Sequence, residues 1–295
     1  MLDDHRARGR LLTLGDDEVF VVDTPAGDGG SEPPLLVIHG FPTSSIDWIG
    51  VLAEMAARRR VILFDLPGFG FSAKPDRPYS IFSAADATVR LIEALGLERF
   101  DLVTHDMGDT VGGELLARDL EDDLPAEVRR RVVTNGSIYL ELAQLTAGQQ
   151  FLWAAPDALL DAELAADADT LAFALTATLA PPGTEGSRPD PEHVMAAAQA
   201  VVEADGSRLL PRLIRYLSDR RDHEDRFTGA IEAHPSQLSI VWGDQDPIAV
   251  VDMAHRLAER RPGAGIEVLE GVGHYPMIEA PASFAAAVVR GLDRG

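Results

Sequence analysis

At 295 residues with 46% hydrophobic side chains, the chain can bury one sizeable core, or a core carrying one large insertion. It has no cysteine, which excludes disulfides, thiolate zinc sites and a cysteine nucleophile, and its net charge of −22 opposes binding to nucleic acid or anionic membranes. No apolar run approaches the roughly 18 to 20 residues of a bilayer span and the first ten residues are polar, so the chain reads as soluble, unexported and cytoplasmic.

Short β-branched runs bounded by turn residues predict strands at 11–14, 18–23, 35–39, 61–65, 100–104, 131–134, 237–242 and 266–269, about eight in all. The tight Gly15-Asp16-Asp17 connection predicts antiparallel pairing of the first two. From the third onward, strands alternate with helical patterns at 46–59, 81–95, 107–118 and 253–260, the signature of a mostly parallel sheet covered on both faces. The fold class is α/β, doubly wound. Alternation stops between Tyr139 and His234, where the sequence is Ala- and Leu-rich, helical in period and broken by the Pro/Gly stretch 181–187. That predicts a helical cap at 139–234 inserted into a core made of 1–138 and 235–295. The cap would lie over the carboxyl ends of the strands, where open α/β sheets hold their ligands.

The strand ending at Thr104 runs through His105, Asp106, Met107 and Gly108 straight into a helix. A sharp strand-to-helix turn needs small residues two positions either side of its apex, and Thr104 and Gly108 flank Asp106 at that spacing. The commonest form has serine at the apex and glycine at both flanks. A carboxylate there is already ionised at neutral pH and can displace a leaving group from a saturated carbon, giving an alkyl ester. Taken alone, Asp106 could equally be a helix N-cap. After the third strand comes His39-Gly40-Phe41-Pro42, so the amides of Phe41 and Met107 are the expected oxyanion donors, with His39 a structural turn residue. His274 follows the last strand on a loop at the same sheet edge and is the expected general base. Asp246, just after the seventh strand, is the expected acid that fixes its tautomer, with Asp244 a turn residue and Glu141, after the sixth strand, the alternative acid.

With these residues in place, the chain resembles the aspartate-nucleophile α/β-hydrolases, which include epoxide hydrolases and haloalkane dehalogenases, and within them the mesoderm-specific transcript proteins. The resemblance spans nearly the whole chain. It rests on His39-Gly-Phe-Pro-Thr-Ser-Ser45 with Trp48, Asp65-Leu-Pro-Gly68-Phe-Gly70-Phe-Ser72, Tyr79-Ser-Ile-Phe82, His105-Asp106-Met-Gly108-Asp109, Asn135-Gly136, Asp246-Pro247 and His274-Tyr275-Pro276. It implies a two-step reaction in which Asp106 attacks carbon and water activated by His274 hydrolyses the ester. A dehalogenase of this group cradles halide with side-chain N–H donors, and the matching positions here, Met107 and Phe41, have none. The arginines that hold a carboxylate in fluoroacetate-processing relatives are missing from 107–113. An epoxide hydrolase protonates the ring oxygen with cap tyrosines. Tyr216, sharing a helical face with Leu209 and Leu213, is the candidate here, and an ordinary core aromatic is its alternative. No tyrosine stands near Phe151 and Trp153, where a second would fall, so Tyr139 is its substitute, and Phe151 and Trp153 are expected to line the pocket.

The expectation is therefore a cofactor-free hydrolase of epoxide hydrolase type, its partner a small apolar substrate, with a homodimer left open. Dehalogenation is the first alternative, and a ligand-binding protein on a hydrolase scaffold the alternative of another class. The eight histidines lack the paired spacing of helical zinc ligands, so no metal site is expected, and Gly68-Phe-Gly70 lacks the third glycine of a dinucleotide fingerprint.

Overall fold

A computed structural model describes residues 1–28 and 30–294. The expected strands are all present: β1 (Arg10–Leu14), β2 (Asp17–Thr24), β3 (Leu35–Ile38), β4 (Val61–Phe64), β5 (Arg99–His105), β6 (Glu127–Thr134), β7 (Gln237–Gly243) and β8 (Gly265–Leu269). They form one sheet in the order β1-β2-β4-β3-β5-β6-β7-β8. β2 pairs antiparallel with both β1 and β4, and all other pairings are parallel. β3 and β4 are buried at every position, as strands covered on both faces must be, and their runs Leu-Leu-Val-Ile and Val-Ile-Leu-Phe show it. The chain steps outward from β3 to β4, then returns to β3's other side as β5. That reversal opens a crevice beyond the carboxyl ends of β3 and β5, where Ile38 is paired with Thr104.

The helices of the core depart from expectation in two places. An unforeseen α1 (Leu2–Arg8) opens the chain, with Asp3 and Asp4 in its first turn and Arg6 and Arg8 in its last, the charge order that a helix dipole favours. The helix expected over 46–59 is instead a 3₁₀ turn at Ser45–Trp48 and a short α2 (Leu52–Met55), separated by Gly50, whose backbone freedom opposes a continuous helix. α3 (Ile81–Ala94) starts at a reciprocal Ser80–Ser83 capping box, and α4 (Met107–Leu120) follows β5 as expected.

Between β6 and β7 lies the helical insert: α5 (Ala147–Ala154), α6 (Ala168–Thr176), α7 (Pro191–Val202), α8 (Leu210–Leu213), α9 (Tyr216–Asp222) and α10 (Glu224–Ala233). α10 packs along α4, on the flank of the sheet. Leu209, Leu213 and Tyr216 are all buried, yet they do not share one helix. Pro211 opens α8 and the chain turns again before α9, consistent with proline's intolerance of a helix interior. α11 (Asp252–Arg260), α12 (Pro276–Glu279) and α13 (Pro281–Asp293) complete the fold. Among the described residues no helix is long and apolar enough to cross a membrane.

Candidate active site

Asp106 occupies the turn between β5 and α4 with φ +52°, left-handed backbone that a non-glycine residue adopts only when its surroundings enforce it. Two glycines enforce it. A Cβ on Gly108 would lie 2.5 Å from the Ile38 carbonyl, and one on Gly40 would lie 2.6 Å from Asp106 Cβ. Thr104 stands where a third glycine is common, and α4 makes the room: a Cβ on Gly112 would meet Thr104 Cγ2 at 2.9 Å. The crevice between β3 and β5 is therefore narrow. The Phe41 amide crosses it to donate to Asp106 Oδ2 at 2.8 Å. The Met107 amide opens α4 and, among the described residues, makes no hydrogen bond to that carboxylate.

His274 arrives from the loop between β8 and α12. Its Nδ1 lies 2.8 Å from Asp246 Oδ2 and its Nε2 lies 3.9 Å from Asp106 Oδ1. This network places a proton on Nδ1, toward Asp246, and turns Nε2 toward Asp106. Burial opposes the imidazolium most, but the charge and hydrogen bond of Asp246, with Asp106 and Glu279 behind them, raise the His274 pKa to about 9. Asp246 is itself fixed at every lone pair. Its Oδ1 accepts the amides of Ile248 (2.8 Å) and Ala249 (2.9 Å), and its Oδ2 accepts Asn135 Nδ2 (2.7 Å) besides the imidazole.

Asn135 is a site residue that sequence reasoning quoted but gave no role. It sits just past β6 at φ +49°, bonding Asp246 and the Gly273 carbonyl through Nδ2 and accepting the Gly243 amide at Oδ1. Three strand ends are thus tied together by one amide. The signal available was an asparagine directly after a strand, a residue type tolerant of left-handed backbone.

The other expected positions divide sharply. His39 is a turn residue, accepting the Leu66 amide at Nε2 (3.0 Å), and Asp244 accepts the Gly271 amide (2.7 Å). Glu141 is not near His274: the chain has left the sheet edge by the 3₁₀ turn at Leu140–Leu142, and the carboxylate pairs at the surface with Arg256. Tyr139 points away from the crevice and donates to Glu232 at 2.8 Å. α5 turns Gln149 and Leu152 toward the interior, so Phe151, 66% exposed, faces outward and Trp153 donates to Ser218 (2.9 Å) rather than lining the pocket. Only Tyr216, among the aromatic residues expected around the pocket, reaches this region. Its ring centroid lies 5.7 Å from that of Phe41 and 5.0 Å from the Arg220 guanidinium carbon. Burial, then the charge of Asp106, push the Tyr216 phenol pKa up, with Arg220 opposing.

A cavity opens beside this group, walled by Phe41, His274 and Tyr275 from the strand ends and by Leu152, Leu171 and Leu175 from the insert. A second recess, bounded by Met107 and Tyr216, lies on the α3 side. Among the described residues no three metal-ligating side chains converge. Asp109, one turn into α4, is buried beside the site and accepts from Thr104 Oγ1. Burial, more than its neighbours, drives its pKa well above the ordinary carboxylate value.

The mixed eight-stranded sheet, the sharp turn carrying a charged residue and the histidine and carboxylate at neighbouring strand ends define a class. The chain belongs to the alpha/beta hydrolase fold family, whose pattern matches residues 33–281. Among individual proteins, it is 34% identical over 292 residues to the Mycobacterium tuberculosis protein named "Putative hydrolase LipZ", covering 96% of this chain and 95% of that one. It is also 29% identical over 292 residues to the mesoderm-specific transcript homolog protein of Bos taurus, covering 96% of this chain and 85% of that one. The crystal structure of Cfl2 from Burkholderia cenocepacia superposes with a TM-score of 0.78 at 23% identity, over 96% of this chain and 94% of that one, a likeness of fold.

Proposed function

We propose that the protein is a hydrolase acting through an alkyl ester of Asp106, epoxide hydrolase in type, on a small apolar substrate. The observation that carries this reading is the Asp106 carboxylate itself, raised on left-handed backbone, with Oδ2 on the Phe41 amide and Oδ1 turned toward His274 Nε2. An N-cap aspartate would bond the amides of its own helix, and Asp106 makes no side-chain cap bond.

In the first step Asp106 Oδ1 attacks a ring carbon and the carbon–oxygen bond opens. The departing oxygen takes the proton of the Tyr216 phenol. In the second step His274 Nε2 takes a proton from water, whose oxygen adds to the ester carbonyl, and the Phe41 amide stabilises the negative charge on Oδ2. Collapse of this intermediate restores the Asp106 carboxylate and releases a diol, and the imidazolium returns the proton that Tyr216 gave. The 3.9 Å gap between His274 Nε2 and Asp106 Oδ1 is too long for a direct hydrogen bond, so the two groups are not locked together before substrate binds. Esterification also removes the Asp106 charge, one of the influences holding the imidazole protonated. That loss favours the neutral imidazole, the form that can accept a proton from water.

Two features weigh against halide as the leaving group. Phe41 and Met107 offer no side-chain donor. The indole N–H of Trp153 is committed to Ser218. The apolar wall of Leu152, Leu171 and Leu175 supports a hydrocarbon substrate.

Intact-protein mass spectrometry of a His274→Asn variant incubated with terminal epoxides, bromoalkanes or carboxylic esters tests the reading. Retention of the whole epoxide mass, abolished by Asp106→Ala, is the expected result. An alkyl adduct lacking halogen would move the assignment to dehalogenase. No adduct from any panel, with small molecules still raising the melting temperature, would favour a binding protein.

A further inference from the structure

Glu279 closes α12 with a fully buried side chain and, among the described residues, has no lysine, arginine or histidine within ion-pair distance. A buried carboxylate without a counter-ion must be satisfied by hydrogen bonds. Here four donors converge on it. Oε2 accepts the amides of Gly273 (3.0 Å) and Ala180 (2.9 Å) and the Ser187 hydroxyl (2.7 Å), and Oε1 accepts the Tyr275 amide (3.1 Å). Gly273 and Tyr275 are the two chain neighbours of His274. The amide of His274 itself donates to the Thr178 carbonyl at 3.1 Å, and the Arg188 amide donates to the Glu279 carbonyl at 2.8 Å. The approach is so close that a Cβ on Gly273 would lie 2.4 Å from the Ala180 amide nitrogen.

Two segments far apart in sequence therefore share one carboxylate: the loop carrying His274 and the insert segment 178–188, whose Thr178 also walls the cavity. We propose that Glu279 is a positioning residue for His274, which locks the imidazole's loop to the insert and adds an unneutralised negative charge beneath it. This rests on reading His274 as the general base. Orientation of the base and seating of the insert over the cavity then form one cooperative unit. The groups facing His274 are Asp246 and Asp106 on its two nitrogens, Glu279 below the loop, Asp47 from the segment after β3, and the rings of His105 and Tyr275, each 5.1 Å away. Of the carboxylates, only Glu279 also bonds the insert.

The test compares Glu279→Gln, Glu279→Asp and Ser187→Ala with the wild-type full chain, following the His274 imidazole resonance against pH without substrate. Glu279→Gln removes the charge and should move the titration downward by about one unit, a size expected for one nearby charge in a partly screened interior. Glu279→Asp keeps the charge but shortens the reach, and Ser187→Ala loses one insert bond. Both should leave the titration close to wild type while speeding amide exchange at Ala180. Where turnover is measurable, Glu279→Gln should lose about 10- to 100-fold in kcat with KM little changed, as displacement of a catalytic group does. An unmoved titration in a folded Glu279→Gln would overturn the proposal and leave a purely structural carboxylate. If that variant does not fold, hydrogen exchange of the wild-type protein decides: the Gly273, His274 and Ala180 amides should open together, and independent opening would overturn the proposal. Titration and exchange use no substrate, so they stand or fall apart from the proposed reaction.

Discussion

The half of the site built on strand ends and the half supplied by the insert are held by different means. Asp106, Asn135, Asp246 and His274 each sit within a few residues of a strand terminus, and each is pinned by backbone amides or by one another at 2.7 to 3.2 Å. Tyr216 is held mainly by ring packing, beside Phe41 and the Arg220 guanidinium. A hydrogen-bonded strand end fixes a side chain to within fractions of an ångström, whereas packing fixes a volume that another residue of similar shape can fill. In the proposed reaction the strand-end half supplies the nucleophile and the base, and the insert half supplies the ring-opening acid and the apolar wall.

Variants of the two halves should differ in kind, and the sharpest contrast is at Asp106. Asp106→Ala is expected to abolish covalent capture altogether, whereas Asp109→Asn, one turn into α4 and bonded to Thr104, should retain capture at near wild-type rates. Mass spectrometry distinguishes them, and capture surviving Asp106→Ala would end the nucleophile assignment. Next, Asp246→Asn should lower kcat by about 10²- to 10⁴-fold, since the imidazole loses its orienting partner. Removing the charge that raises it should also carry the His274 pKa down from about 9.

A pH series sharpens the same half. In the ligand-free protein, the raised His274 pKa contributes stability that is complete below the ordinary value of 6.5 and is lost as pH climbs through about 9, so melting temperature should fall across that window and fall less in Asp246→Asn. Single-turnover hydrolysis of the ester, where Asp106 carries no charge, should show its acid limb below the free-protein titration.

On the insert side, Tyr216→Phe should slow ring opening about 10²-fold or more while leaving decay of a preformed ester unchanged. Equal slowing of both steps would make Tyr216 a packing residue. The smallest effects belong to residues that the structure turns away. Glu141→Gln should leave kinetics unchanged and stability within about 0.5 kcal/mol, as exposed ion pairs do.

The same division explains what the sequence disclosed. The eight strands were legible because parallel, doubly covered strands need unbroken apolar runs, and Asp106, His274 and Asp246 were legible because turns at strand ends carry recognisable small residues. The insert's helices were legible as helices, but their orientation was not. Phe151 and Trp153 flank Leu152, and only three-dimensional packing decides which of three consecutive residues faces the cavity. Tyr216 was expected on a continuous stripe with Leu209 and Leu213; it is buried as that stripe implied, although Pro211 breaks the helix. Glu279 gave no sign, since an acidic residue on a short helix ordinarily reads as solvated surface and its four donors come from segments about a hundred residues apart.

The threonine flanking Asp106 couples two positions that a list of conserved glycines would treat as separate. Thr104 fits only because Gly112 has no side chain, so one methyl-sized space beneath the turn is shared by strand and helix. Occupancy of that space is mutually exclusive: alanine at 112 should be harmful beside threonine and tolerated beside glycine at 104. Such sign epistasis would channel how related chains diverge, letting bulk pass from one position to the other only through an intermediate with glycine at both.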